Sequence, residues 1–441
     1  MTTKFVTFGC WNENCCDETS PVFKVLDAIK KQESDSNFFI VTGDNYYPEK
    51  IQIEMDGKKQ KVKTADIGQL SESFQLLTRS LFGEESEIAA GVAREAAGVA
   101  AGEAAGVAAG VAREAAGEAE ASSGEGKEIF LLLGNHDVEK TIESKNKERG
   151  CYVTLFEKTF AQAFNTNSIH KINFPTSQLV MSKKIGADTL IIMIDTNIYS
   201  RENLECYSYL GHGHSEELEL QEQLQAEQYQ QVRSILGEGQ FENIIVCGHN
   251  PLIGFKNQVL KDGKIKGGID VCSKELYELM FSLKLNGKKL YYLCADVHNY
   301  QKGDVTISHS SNGNNVLIHQ YIVGIGGTEL DDDYDEKFDP NFSVSPNDAI
   351  GIVEATIAVS DLLNLNYKIE QHFSEFGYLV VTIDHNNHVS FQVKQVPIEQ
   401  VAASVVASVG GKHTKRRNKR TKRRKKRTKK TSKRRKHTKR K

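Results

Sequence analysis

The 441-residue chain has one tryptophan and seven prolines, and no stretch nears the ~20 consecutive apolar residues that a membrane helix needs. Its first residues lack the basic patch, apolar run and small-residue cleavage site of a secretory leader. They enter KFVTFGC directly, which reads as a strand. An intracellular protein with no membrane span is therefore expected. The eight cysteines show no CxxC spacing of the kind that marks a zinc knot. They are expected to be thiols rather than a disulfide framework. After position 411 there is no Asp, no Glu and no aromatic residue.

That last absence exposes a division hidden by the formal net charge of -2. Of the 56 Lys and Arg, 21 lie in residues 412–441, leaving 35 against 58 Asp and Glu in the rest. An acidic body thus carries a cationic tail that cannot collapse against its own repulsion. The body reads as one catalytic-size domain over residues 1–398, interrupted at 84–126, with a small-residue linker at 399–411. The interruption is built from Ala, Gly, Glu and Val, and repeats GVAREAAG at 91–98 and 110–117. Its glycines cost up to ~1 kcal/mol each in a helix. With no apolar stripe, it is expected to be frayed and without chemistry.

Elsewhere apolar runs alternate with helical patterns. Strands are expected at 4–8, 38–42, 129–133, 188–194, 243–247, 289–294, 317–325, 378–384 and 388–394. Helices are expected at 22–32, 67–81, 154–164, 217–236 and 273–284. Continuous runs such as LIIMI and NIIVC suit sheets covered on both faces. The class is α/β or α+β with large sheets.

The chemistry lies where the runs stop. KFVTF ends in GCWN, FFIVT in GDNYY, IFLLL in GNHD, LIIMI in DTN, NIIVC in GHNP and KLYYLC in ADVHN. Each could be a turn, since Gly-Asp and Gly-Asn suit turns. Six such ends would bring Asp, Asn, His, Tyr and Cys to one edge, beyond the carboxyl ends of strands where ligands bind. A donor set of this kind suits two cations sharing a carboxylate and a hydroxide for displacement at phosphorus, with a histidine as general acid.

TGDNYY, LLLGNHD, VCGHNP and LCADVHNYQ, in that order, resemble the calcineurin-like metallophosphoesterase family. Tyr47 makes the small purple (tartrate-resistant) acid phosphatases the nearer match. IDTN at 194–197, YIVGIGG at 321–327 and FGYLVVTID at 376–384 are weaker echoes. The resemblance covers roughly residues 4 to 395 without the Ala/Gly insertion. It implies a two-sheet sandwich flanked by helices, with the site at the C-terminal rim of the strands. It makes Asp44 the bridging carboxylate, Tyr47 and His298 ligands of a first metal, and Asn135 and His249 ligands of a second. His136 becomes the phosphate-contacting acid, and the reaction phosphomonoester hydrolysis by a metal-bound hydroxide. The implied cofactor is two metal ions, iron with zinc, manganese or a second iron.

Two motifs depart from the family pattern. Cys10 stands where the first metal takes an Asp, with Asn12 where Gly or His is usual. Asp296 stands where the second metal takes a His. Cys10 and Asp296 are therefore candidate ligands, Asn12 an accessory candidate, and Asp17 a carboxylate that could substitute. LGHGH at 210–214 matches the usual last motif literally, at His212 and His214. No strand delivers it, so both are accessory candidates over the site. DDDYDE at 331–336 reads as a solvated acidic loop.

The tail fits sequence-blind binding to nucleic acid or another polyanion, a nuclear address, or pairing with the acidic body. It resembles tails on proteins of large DNA viruses, which would imply a packaging role. The competing reading of the whole is a catalytically degenerate phosphoesterase-like protein, a binding or scaffolding protein tethered to nucleic acid.

Overall fold

The computed structural model describes residues 2–13, 15–55, 58–83, 91–94, 96–98, 126–143, 149–200, 204–212, 217–237, 239–261, 264–283, 287–309, 314–331, 353–358 and 363–398. Two sheets carry the first unit, residues 1–396. One has six strands in the order β20 (Val389–Gln395), β19 (Gly377–Ile383), β1 (Thr3–Phe8), β2 (Phe38–Val41), β5 (Glu128–Leu131) and β8 (Lys171–Asn173). The other has eight: β17 (Val353–Ala358), β18 (Leu363–Phe373), β15 (Tyr300–His309), β16 (Asn315–Val323), β14 (Gly287–Cys294), β11 (Phe241–Cys247), β10 (Thr189–Ile194) and β9 (Val180–Ile185). Two smaller sheets are the hairpin β12 (Ile253–Lys261) and β13 (Lys264–Val271), and β3 (Glu49–Met55), β4 (Lys58–Ala65), β6 (Thr141–Glu143) and β7 (Arg149–Gly150).

Strand alternation explains why the central runs are apolar throughout. In β2, Phe38 and Ile40 face the other sheet while Phe39 and Val41 face helices. In β10, Ile191 and Met193 face inward, and Leu190, Ile192 and Ile194 face the opposite helices. The middle core joins Phe5, Phe38 and Phe130 of one sheet to Ile191, Ile245 and Leu293 of the other. Outside the first sheet pack α1 (Pro21–Gln32), α2 (Ile67–Phe82) and α3 (Tyr152–Asn167). Outside the second pack α4 (Glu217–Leu236) and α5 (Lys274–Leu283). The result is a mixed α/β sandwich, helices–sheet–sheet–helices. No helix among the described residues is long and apolar enough to cross a membrane.

The helix starts are written locally. Ser20 accepts from the Phe23 N–H ahead of Pro21, and Asp66 accepts from the N–H groups of Gly68 and Gln69, which satisfies donors that a helix end leaves open. All nine expected strands and all five expected helices are present. The expectations do not include β3, β4, β6, β7, β8, β9, β12, β13, β15, β17 and β18. In GVAREAAG at 91–98, the described residues are helical, with Val92, Ala93 and Ala96 buried against the α1–α3 layer. That corrects the expectation that this copy has nothing to bury. Most of 84–126, the linker and the tail lie outside the described residues, as does the second unit beyond Pro397 and Ile398.

The thiol expectation is also corrected. Cys151 pairs with Cys206, and Cys15 with Cys16. Cys10, Cys247, Cys272 and Cys294 are in no disulfide. Pairing across 55 residues depends on where α3 and the 3-10 turn at Leu204–Leu210 meet, which spacing does not reveal.

Candidate metal centre

Strands β1, β2 and β5 are mutually parallel, as are β10, β11 and β14. Their carboxyl ends therefore share one rim, and the six motif loops meet there. The loops are locked by main-chain contact. Cys10 N–H donates to the Gly43 carbonyl at 3.0 Å, Ala295 N–H to that of His249 at 2.8 Å, and Thr328 N–H to that of Cys10 at 3.0 Å. At Gly43, with φ of +90°, a Cβ would stand 2.6 Å from Gly134 N and 2.7 Å from His249 Nδ1, so only glycine fits. Immediately past their strands, Cys10 (φ 52°), Asp44 (φ 53°) and Asp296 (φ 60°) are left-handed. This backbone costs about 1–3 kcal/mol at a non-glycine residue and persists where the surroundings impose it.

Asp44 is buried at the centre and turns its two oxygens to different partners. Oδ2 accepts from the Tyr47 hydroxyl at 2.9 Å and lies 3.9 Å from Cys10 Sγ. The Tyr47 hydroxyl is 3.2 Å from His298 Nε2, and ligand atoms of Cys10, Asp44 and His298 fall within 4.8 Å of one another. Oδ1 lies 3.3 Å from His249 Nε2, which is 3.1 Å from Asn135 Oδ1 and 3.7 Å from Asp296 Oδ1. The structure thus brings Cys10, Asp44, Tyr47, Asn135, His249, Asp296 and His298 together as two donor sets flanking one carboxylate.

Both histidines are aimed from behind. His249 Nδ1 donates to the Thr42 carbonyl at 2.7 Å and His298 Nδ1 to that of Glu329 at 2.9 Å. With Nδ1 donating behind it, each ring turns Nε2 toward the centre, the usual support of a metal-binding imidazole. Asp331 Oδ2 takes the His298 N–H at 3.0 Å. The acidic loop is therefore a brace at its first residue, while 332–336 lie outside the described residues.

Electrostatics fit a cation. Burial opposes ionisation of Asp44, but His249 and His136 outweigh it and hold the carboxyl far below its ordinary range. Burial likewise opposes a proton on His249, yet Asp44 raises its pKa to about 9. Burial first, then the Asp44 charge, push Cys10 and Tyr47 well up. All three would surrender their protons to a metal.

His136 stands at the rim. Its N–H donates to Asp44 Oδ1 at 3.2 Å and its ring packs on Tyr47, centroids 4.8 Å apart. Its Nδ1 lies 3.4 Å from Glu139 Oε2, while Glu139 Oε1 takes Lys63 from β4. Burial lowers the His136 pKa, but Asp44 and Glu139 raise it more.

The accessory candidates fall away from the centre. The Asn12 amide donates to the Asn45 carbonyl at 2.6 Å, and its Oδ1 accepts from Ser73 at 2.8 Å. It ties a loop to α2. His212 is buried with Nε2 on the Thr176 carbonyl at 3.2 Å, so it braces a loop, and His214 lies outside the described residues. Asp17 accepts from Thr19 at 2.8 Å and 2.9 Å, closing its own turn.

The residues that sequence reasoning missed are in the layer behind. Asp137 accepts from Gly134 N–H (2.7 Å), Asn45 N–H (2.8 Å), Tyr46 N–H (3.2 Å) and the Asn45 amide (3.1 Å). It binds the GNHD turn to the GDNYY turn. Burial, then the Asp44 charge, raise its pKa to about 7. Asp195 accepts from the Tyr207 hydroxyl at 2.7 Å and from Asn197, whose amide reaches the Leu133 carbonyl. IDTN is thus a brace and not a ligand set.

No family model and no curated protein matches the chain. Among solved structures it is similar to GAP50, the anchor in the inner membrane complex of Plasmodium, at 11% identity over 91% of this chain and 87% of that one, TM-score 0.41. PhoD matches at 13% identity over 90% and 70%, TM-score 0.40. The NAD nucleotidase NadN of Haemophilus influenzae matches at 8% over 89% and 55%, TM-score 0.24. The functional reading therefore stands on the donor sets themselves.

Proposed function

We propose that the protein is a metal-dependent phosphoesterase, hydrolysing phosphomonoesters at a two-metal centre. The observation that carries this reading is Asp44, whose two oxygens each face a separate donor set. Cys10, Tyr47 and His298 would hold one ion, and Asn135, His249 and Asp296 the other. Thiolate, phenolate and imidazole donors favour iron or zinc over magnesium. Bound there, the ions would supply Lewis-acid polarisation of the ester and a water acidic enough to attack at neutral pH.

The chain's own groups do the rest. Glu139 Oε2 faces His136 Nδ1 as a charge partner at 3.4 Å, leaving Nε2 to deliver a proton to the leaving oxygen. Burial opposes the Glu139 charge, but His136 and then Lys63 keep it ionised, and the Tyr47 ring packs on the imidazole. The cationic tail would act separately, as a tether to polyanions inside the cell.

The test pairs metal content with turnover of p-nitrophenyl phosphate by the full chain. About two metal equivalents, falling toward one in Cys10→Ala, are expected, with hydrolysis lost on chelation and in Asp44→Asn. Hydrolysis that survives both treatments refutes the mechanism. Two bound metals without hydrolysis of any phosphomonoester would favour the scaffold reading.

A further inference from the structure

The ribbon of β3 and β4 starts two residues past Tyr47 and returns beside His136. Its base is fixed to the rim. The Tyr46 hydroxyl accepts from the Asp66 N–H at 2.8 Å, Thr64 Oγ1 donates to the Glu49 carbonyl at 3.2 Å, and β4 pairs with β6 at Thr64 and Ala65. The register sets Lys50 opposite Lys63, Gln52 opposite Lys61 and Glu54 opposite Lys59. Opposed residues share a face, and alternate residues repeat it. Lys50, Lys59, Lys61 and Lys63 therefore belong to one face, while Val62 and Thr64 of the other are buried. Lys50, Lys59 and Lys61 are exposed. Lys63, at the base, reaches Glu139, whose other oxygen lies 3.4 Å from His136 Nδ1. The lysine face thus begins at the corner of the site that holds the proposed acid, and runs outward from it.

The charges give this face its meaning. Like charges directly opposite each other on a ribbon repel, as at Lys50 and Lys63. Of the six positions on the face only Glu54, at the far end, is acidic. Along β4 the lysines recur at every second residue, about 6.6 Å apart. The face has no aromatic ring on which a base could stack,. An evenly spaced row of cations of this kind suits a repeating backbone charge, read without regard to base sequence. It stands on a body in which 35 basic residues meet 58 acidic ones, so polyanions are repelled elsewhere and drawn to the ribbon.

Resting on the phosphoesterase reading, we propose that the β3–β4 ribbon is a substrate arm and that the substrate is the phosphate at the end of a nucleic-acid strand. The terminal phosphate enters between the donor sets, and the phosphates behind it lie along Lys50, Lys61 and Lys59. Water adds to phosphorus, and the P–O bond to the terminal sugar breaks. The sugar oxygen takes the proton of His136, which the proton shed by the water replaces. The products are inorganic phosphate and a strand ending in a hydroxyl. Selectivity comes from the charge behind the scissile ester and not from the bases.

The experiment uses the full chain, oligothymidylates phosphorylated at the 5′ or the 3′ end, and p-nitrophenyl phosphate, with turnover read against salt. One lysine contact to a single strand contributes ~0.7 to the log–log salt slope. Lys50→Gln, Lys59→Gln and Lys61→Gln together should flatten the slope of kcat/KM for the oligonucleotide by about 2, which is about 100-fold in KM at about 0.1 M salt. The same three changes to Arg should keep both at the wild-type value. Turnover of p-nitrophenyl phosphate and metal content should stay unchanged, since none of the three lysines belongs to a donor set. If circular dichroism shows the Gln chain misfolded, Lys61→Gln alone replaces it, with a flattening of ~0.7. An unchanged slope overturns the arm and leaves any preference for nucleic acid to the C-terminal segment. So does a wild type that cleaves p-nitrophenyl phosphate but neither oligonucleotide. A wild type that prefers an acidic phosphoserine peptide, with that preference lost in the Gln chain, overturns the nucleic-acid assignment. A wild type that hydrolyses none of these substrates overturns the phosphoesterase reading and this proposal with it.

Discussion

Truncating Asp137 should loosen the whole rim, although this carboxylate is not in either donor set. Asp137→Ala strips the partner from three buried backbone N–H groups and from the Asn45 amide. A buried donor left unpaired costs ~1–3 kcal/mol. Four would sum to more, but entering water and local relaxation cap the loss at the ~3–5 kcal/mol seen when a buried ionic partner is removed. Asp137→Asn separates charge from shape. Its oxygen can still serve Asn45 and Tyr46 from the Oδ1 position, but its NH2 would meet the Gly134 N–H, which now lies 2.7 Å from Oδ2. A loss of ~2 kcal/mol is expected there. Urea unfolding at fixed slope gives both values, and zinc content reports whether GDNYY and GNHD have drifted apart. An Asp137→Ala chain within ~1 kcal/mol of wild type and still holding two metals would refute the claim that this carboxylate ties the two turns.

Two further outcomes follow from buried carboxyls. Glu157 of α3 sits behind Asp137, where burial and then the Asp137 charge push its carboxyl well above 4.5. A raised carboxyl stabilises the fold below the unfolded pKa and loses that contribution as pH rises toward the folded value. Glu157→Gln should therefore gain on the wild type in urea midpoint as pH climbs from about 4.5 to 7, and a constant difference would contradict it. Glu139→Gln should lower phosphomonoester kcat by about 10- to 100-fold with metal content unchanged. It should also move the alkaline limb of the pH–rate profile down, because Glu139 helps hold the proton on His136. An unmoved limb would mean that Glu139 does not act through that ring.

Much of the architecture was legible because its central strands are buried on both faces. FFIV and LIIMI read as strands with no partner known, and the polar residue at each end marked the rim. The edges were harder. β15 alternates buried and half-buried positions through YQKGDVTISH, and β3–β4 spreads lysines along KKQKVKTA. Such segments become strands through pairing that no local run announces. The seven ligand candidates were visible because each follows a strand directly. Asp137 and Glu139 were not, because each acquires its role from a distant partner: 92 residues away for Asp137 with Asn45, 76 for Glu139 with Lys63. Cys151–Cys206 escaped for the same reason.

The interlocked loops also decide where this chain can grow. Ligand spacing is set by main chain resting on main chain at Gly43 and Gly134, so a residue added to any of those turns would prise the two donor sets apart. The long Ala/Gly segment joins the end of α2 to the start of β5, which is the opposite margin of the sheet. There, lengthening a connection costs only the slowly rising entropy of a longer loop. The parallel strands thus give the molecule a fixed pole and a permissive one. A reporter domain spliced between α2 and β5 would be anchored through ends that carry none of the seven ligand candidates.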